Sequence, residues 1–123
     1  MQTKKILRFY FSADSLEKAF DNLIINKACA PYSDSLETAE AICSVIGDKI
    51  QLERLWTYLD GVLSTFTKEE REILSDYSAQ CVRQNDYKAV KRAVIKFTRR
   101  ARRLEEFGGD ILVLNKYFCL IRA

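Results

Sequence analysis

The feature that most limits how this chain can fold is the near absence of chain breakers. Its 123 residues hold one proline, Pro31, and four glycines, Gly47, Gly61, Gly108 and Gly109. A β-sandwich or barrel needs turn residues at short, regular intervals, and so few breakers cannot supply them. Apolar residues recur instead at helical spacing along almost the whole sequence. The expectation is an all-α fold, a single compact bundle of five to seven helices in which residues 1–123 form one domain. A hydrophobic fraction of 48% is enough to build its core.

The spacing predicts a first helix over 3–11, with Ile6, Leu7, Tyr10 and Phe11 inward. A second, over 14–29, carries Leu16, Phe20, Leu23, Ile24 and Ala28 on one face and is stopped by Pro31. Asp34 is the expected cap of a third helix with the stripe Leu36, Ala39, Ile42, Cys43 and Ile46. Gly47-Asp48 either ends that helix and caps the next or lies inside one long helix. Residues 49–65 carry the clearest stripe: Leu52, Leu55, Trp56, Leu59, Val62 and Leu63, then Phe66. Trp56 is expected to be buried, and Gly61 to mark a close helix crossing. Thr67 with Glu70 reads as a capping box for a helix burying Ile73, Leu74, Tyr77 and Cys81. After a turn at 84–86, one long helix over 87–106 is expected, stopped by Gly108-Gly109. Residues 111–121 are apolar nearly all the way round, interrupted only by Asn115 and Lys116. A helix of that kind is either enclosed by others or shared with another chain. It is therefore expected at the centre of the bundle, or partly at a homodimer interface.

Charge is divided unevenly. Residues 1–86 hold 10 basic and 14 acidic side chains, a net of −4, whereas residues 87–123 hold 10 and 3, a net of +7. Eight of the sixteen residues from Lys88 to Arg103 are basic and none is acidic. On a helical wheel, Val90, Ala93, Val94, Phe97, Ala101 and Leu104 gather on one side and the cations on the other, with Ile95 among them. Arginine pairs with phosphate through two parallel hydrogen bonds, and an apolar side chain among arginines suits a groove bearing a thymine methyl. The candidate contact surface for DNA or RNA is Lys88, Lys91, Arg92, Ile95, Lys96, Thr98, Arg99, Arg102 and Arg103. The competing reading is a solvated face answered by acidic neighbours such as Glu69, Glu70 and Glu72, on a module that works through protein contacts.

The sequence has no histidine, which excludes Ser-His-Asp and Cys-His catalytic sets, the HExxH zinc site and the CCHH finger. No phosphate-binding glycine loop is present, and the carboxylate groups Asp14 with Glu17, Glu37 with Glu40, and Glu69 with Glu70 and Glu72 fall at helix starts or exposed faces. No catalytic constellation, cofactor, metal or small-molecule substrate is indicated. Cys29, Cys43, Cys81 and Cys119 form no CxxC pair and are expected as buried thiols. Arg8 interrupts the apolar run near the amino terminus, and no uncharged run reaches the roughly 18 residues that span a bilayer, so a cytoplasmic location without membrane contact is expected. Phe66–Tyr77 resembles the opening of region 4 in bacterial sigma factors, where an acidic capped helix precedes a helix-turn-helix. The stretch from Tyr77 to the basic segment is too short for that motif's extra helix and small-residue turn, so no membership follows. The expected function is that of a small, non-catalytic regulatory protein touching nucleic acid through residues 88–103.

Overall fold

The computed structural model describes residues 3–29, 35–79 and 87–121. They form six α-helices and no strand: α1 (Thr3–Phe11), α2 (Ala13–Ala28), α3 (Ser35–Leu63), α4 (Lys68–Ser78), α5 (Tyr87–Arg100) and α6 (Gly108–Tyr117). Short 3-10 segments follow α5 (Arg102–Phe107) and α6 (Phe118–Ile121). Pro31, Asp34, residues 84–86 and Cys81, to which the sequence assigned a stop, a cap, a turn and a buried thiol, lie outside the described residues.

The organising element is α3, whose 29 residues run about 43 Å at 1.5 Å per residue. Gly47 does not break it. A glycine inside a helix costs only about 1 kcal/mol relative to alanine, and no proline stands nearby to add a steric block. Continuity has a geometric consequence. At about 100° per residue, the stripe through Leu36, Cys43 and Ile46 points nearly opposite to the stripe through Leu52, Leu55, Leu59 and Leu63. Only one of them can face the core. Leu52, Leu55, Leu59 and Leu63 are buried, joined by Val45, while Leu36, Ala39, Cys43 and Ile46 are exposed. The expectation that the 36–46 stripe faces inward is thereby corrected.

The other helices pack around the inner face of α3, with contacts to α1, α2, α5 and α6. Ile6, Leu7 and Phe9 of α1, Leu16 and Phe20 of α2, Leu74 of α4, Phe97 of α5 and Leu114 of α6 complete the core. Lys49 reaches Asp21 at 3.6 Å and Glu17 at 4.0 Å, fastening α2 to α3. Trp56 is half-buried rather than buried. Its indole N–H donates to the Tyr10 carbonyl at 3.1 Å and its ring stacks on Tyr10 at 5.3 Å. The Tyr10 hydroxyl donates to Asp60 at 2.7 Å; burial, then that hydrogen bond, push the phenol up to about 12. The capping box forms as expected: Thr67 Oγ1 accepts from the Glu70 N–H, and Glu70 accepts from the Thr67 N–H.

The carboxy-terminal helix departs from the expectation in two ways. Gly108-Gly109 opens α6 instead of stopping α5, because Gly108 adopts ordinary right-handed helical angles, φ −54° and ψ −42°. Nor is α6 central: Asp110, Leu114 and Tyr117 are buried, while Leu112 is 70% exposed and Cys119 exposed. One side of α6 lies on α3 and is fixed there by polar pairs. Arg54 Nη2 meets the buried Asp110 carboxylate at 3.0 Å, while Lys116 Nζ reaches Asp48 at 3.1 Å and the Tyr117 hydroxyl donates to the same oxygen. Cys29 and Cys43 are also exposed, so the buried-thiol expectation fails at all three described cysteines.

Among the described residues, no helix is long and apolar enough to cross a membrane.

Candidate nucleic-acid interface

The amphipathic pattern of α5 positions its cations. Ala93 and Phe97 are buried and Val90 and Val94 partly so, as the wheel requires, which turns Lys88, Lys91, Arg92, Ile95, Thr98, Arg99 and Arg100 to solvent. The helix ends at Arg100, so residues 88–103 are not the single helix expected. The Tyr58 hydroxyl on α3 accepts from the Arg103 backbone N–H at 3.1 Å, and Phe107 stacks on the Tyr58 ring at 4.8 Å. These contacts draw the chain back toward α3 as a 3-10 turn that starts with the Leu104 N–H donating to the Ala101 carbonyl at 3.2 Å. Arg102 and Arg103 are carried by this turn, beyond the end of the helix.

The cations divide into two groups. Lys96 meets Glu70 at 2.8 Å and lies 4.7 Å from the Phe66 ring centroid, tying α5 to the start of α4. This hydrogen bond, followed by the one from the Thr67 N–H, holds the Glu70 carboxyl below its ordinary range. Arg103 pairs with Glu106 at 3.0 Å. Arg100 donates to the Thr65 carbonyl at 3.1 Å and to its hydroxyl, closing the turn after α3. Glu70 is thus one acidic neighbour that does answer the basic face. In contrast, no carboxylate among the described residues pairs with Lys91, Arg92, Arg99 or Arg102. Arg92 Nε and Arg102 Nε each donate to a carbonyl of their own segment, Lys88 and Arg99 respectively, which steadies the side chains and leaves the other guanidinium N–H groups outward. Thr98 spends its hydroxyl proton on the Val94 carbonyl at 2.9 Å and offers solvent its methyl group and oxygen lone pairs.

Two concavities meet on this surface. A shallow groove on α5 is lined by Arg92, Ile95, Lys96, Arg99 and Arg100. A second, between the end of α3 and the 3-10 turn, is lined by Arg99, Arg100 and Arg102 together with Tyr58, Gly61 and Thr65. Arg99 and Arg100 form the ridge between them. Ile95, 41% exposed, lies in the first. Gly61 is not a close crossing: nothing lies within 4 Å of where its Cβ would stand, and it leaves the second concavity open. Arg100, Tyr58, Gly61 and Thr65 are additions to the candidate set. Arg100 belongs to the same basic run, whereas the other three are brought in by the end of α3, which no local pattern announces.

A separate depression between α2 and α3 has Phe9, Phe20 and Trp56 in its wall and Asp14, Glu17 and Glu53 around it. Its carboxylates set it apart from the basic surface. No group of three or more Cys, Asp or Glu side chains among the described residues is arranged to hold a metal ion. Comparison of the chain with protein-family models, with curated proteins and with solved structures finds no match in any of the three.

Proposed function

We propose that this protein is a non-catalytic, regulatory nucleic-acid-binding domain that grips a phosphate backbone with the surface formed by α5 and the turn after it. The observation that carries the reading is the group of cations without carboxylate partners among the described residues, Lys91, Arg92, Arg99 and Arg102, of which Arg92, Arg99 and Arg102 line two adjoining grooves. An internally answered face would pair most of its cations, as Lys96 and Arg103 are paired. Guanidinium groups steadied through Nε keep Nη donors for phosphate oxygens, and Ile95 between them supplies an apolar contact for a base or sugar. The binding is mainly electrostatic and therefore salt-dependent.

The test is fluorescence anisotropy with a labelled DNA duplex and a labelled single-stranded RNA at low salt. Arg99→Glu with Arg102→Glu abolishes binding and leaves the helical circular dichroism unchanged, since both side chains are exposed. Arg103→Glu has a smaller effect because Arg103 is already paired. Binding by the double variant equal to wild type overturns the proposal.

A further inference from the structure

The outer face of α3 carries a row of exposed apolar side chains. Leu36, Ala39, Cys43, Ile46 and Ile50 follow one another at alternating intervals of three and four residues. That is the spacing of the a and d positions of a coiled coil. Leu36 is 65%, Ile46 40% and Ile50 60% exposed, and Ala39 and Cys43 are exposed as well. On α2, Ile25 is also exposed; it stands one turn beyond Asp21, on the side from which Asp21 and Glu17 reach Lys49. Contiguous exposed apolar patches rimmed by polar residues mark interaction sites on soluble proteins.

We propose that this face is covered by a second copy of the same chain, with the two α3 helices antiparallel. Four of the five positions, Ala39 to Ile50, are self-complementary in that direction. Antiparallel layers place Ala39 opposite Ile50 and Cys43 opposite Ile46, so small side chains meet large ones, and each layer occurs twice across the two-fold axis. Charge at the flanks selects the same direction. Two antiparallel helices bring Glu40 of one copy onto the side of Arg54 of the other, an attractive pair made twice. Parallel helices would instead set Lys49 against Arg54, like charges. Arg54 uses Nε and Nη2 on Asp110 and keeps Nη1 available. The row supplies far fewer side chains than the roughly 20–30 residues a side of a standard stable interface, so association is weak and reversible. This inference is independent of the nucleic-acid reading: it uses the opposite end of α3.

Sedimentation equilibrium of the full chain, from about 10 µM to about 500 µM, tests it across the range expected for a small interface. The weight-average mass climbs with concentration from 14.3 kDa toward twice that value. Ile46→Glu with Ile50→Glu keeps the mass at 14.3 kDa throughout while circular dichroism remains native, both side chains being exposed. Leu112→Glu, on α6, leaves association unchanged. For direction, Ala39→Cys with Ile50→Cys in a background lacking the native cysteines gives a covalent dimer with a short bis-maleimide, and Ile50→Cys alone, whose two copies stand far from the two-fold axis when the helices are antiparallel, does not. A monomer at every concentration, a dimer that survives Ile46→Glu with Ile50→Glu, a dimer dissolved by Leu112→Glu, or efficient cross-linking through Ile50→Cys alone overturns the proposal.

Discussion

The two halves of α3 carry similar apolar stripes and meet opposite fates. In the second half, Leu52, Leu55, Leu59 and Leu63 are enclosed by the surrounding helices. In the first, Leu36, Ile46 and Ile50 are in water. Both halves carry an apolar stripe, and their relative phase separates them. Once Gly47 fails to break the helix, the two stripes are locked almost half a turn apart, and the core takes the longer, leucine-rich one. Hydrophobicity decides that a stripe wants burial, and helix continuity decides which side it faces.

The sharpest way to break this comparison is to truncate one residue from each half. Leu59→Ala removes atoms from a fully enclosed site and should cost about 2–5 kcal/mol in urea unfolding. Ile50→Ala, measured at low protein concentration, should stay within about 0.5 kcal/mol of wild type. Equal costs would mean that the outer stripe is packed.

A second test concerns the polar fastening of α6 to α3. Asp110 is buried in the first turn of α6, where the helix dipole favours an anion, and Arg54, 66% exposed, covers it. Arg54→Ala leaves a buried carboxylate without its cation and should destabilise by about 1–3 kcal/mol. Asp110→Asn keeps shape and an acceptor oxygen, and the Arg54 it releases is already largely hydrated, so its cost should be smaller. The reverse order in thermal melts would contradict the assignment.

A third and smaller effect tests the contact between α1 and the inner half of α3. The Tyr10 phenol is raised to about 12 in the folded chain against about 10 unfolded. Between those values the folded state holds a proton that the unfolded state has lost, so this contribution is complete below pH 10 and disappears as pH rises toward 12. Tyr10→Phe should flatten part of that alkaline decline in melting temperature; an unchanged slope would show that Tyr10 does not carry it.

Much of the fold was legible in the sequence because helices announce themselves locally. The absence of breakers indicated the all-α class, and Leu16 and Phe20 of α2, Leu74 of α4, Ala93 and Phe97 of α5 and the Thr67–Glu70 box stand where periodicity placed them, while Ala28 at the end of the α2 stripe is exposed. What was not legible depends on distant partners. The exposure of Cys43 follows from the phase of α3, and the half-burial of Trp56 from its seat against Tyr10. The early end of α5 follows from Tyr58, some 45 residues away in the chain. The candidate site shows the same division: its cations were visible as a run and Arg103–Glu106 is a local pair three residues apart, but the separation of Lys96 from Arg99 and Arg102 needed the position of Glu70 on another helix.

The central functional claim is that the cations without carboxylate partners are the ones that contact phosphate. Its most direct test is the salt dependence of duplex-DNA affinity for wild type and for Arg99→Glu with Arg102→Glu. Each phosphate neutralised contributes about −0.9 to the slope of log K against log salt. The account predicts steep, linear weakening for wild type and, in whatever binding the double variant retains, a slope shallower by about two. A salt-independent affinity, or the same slope in both proteins, would contradict it.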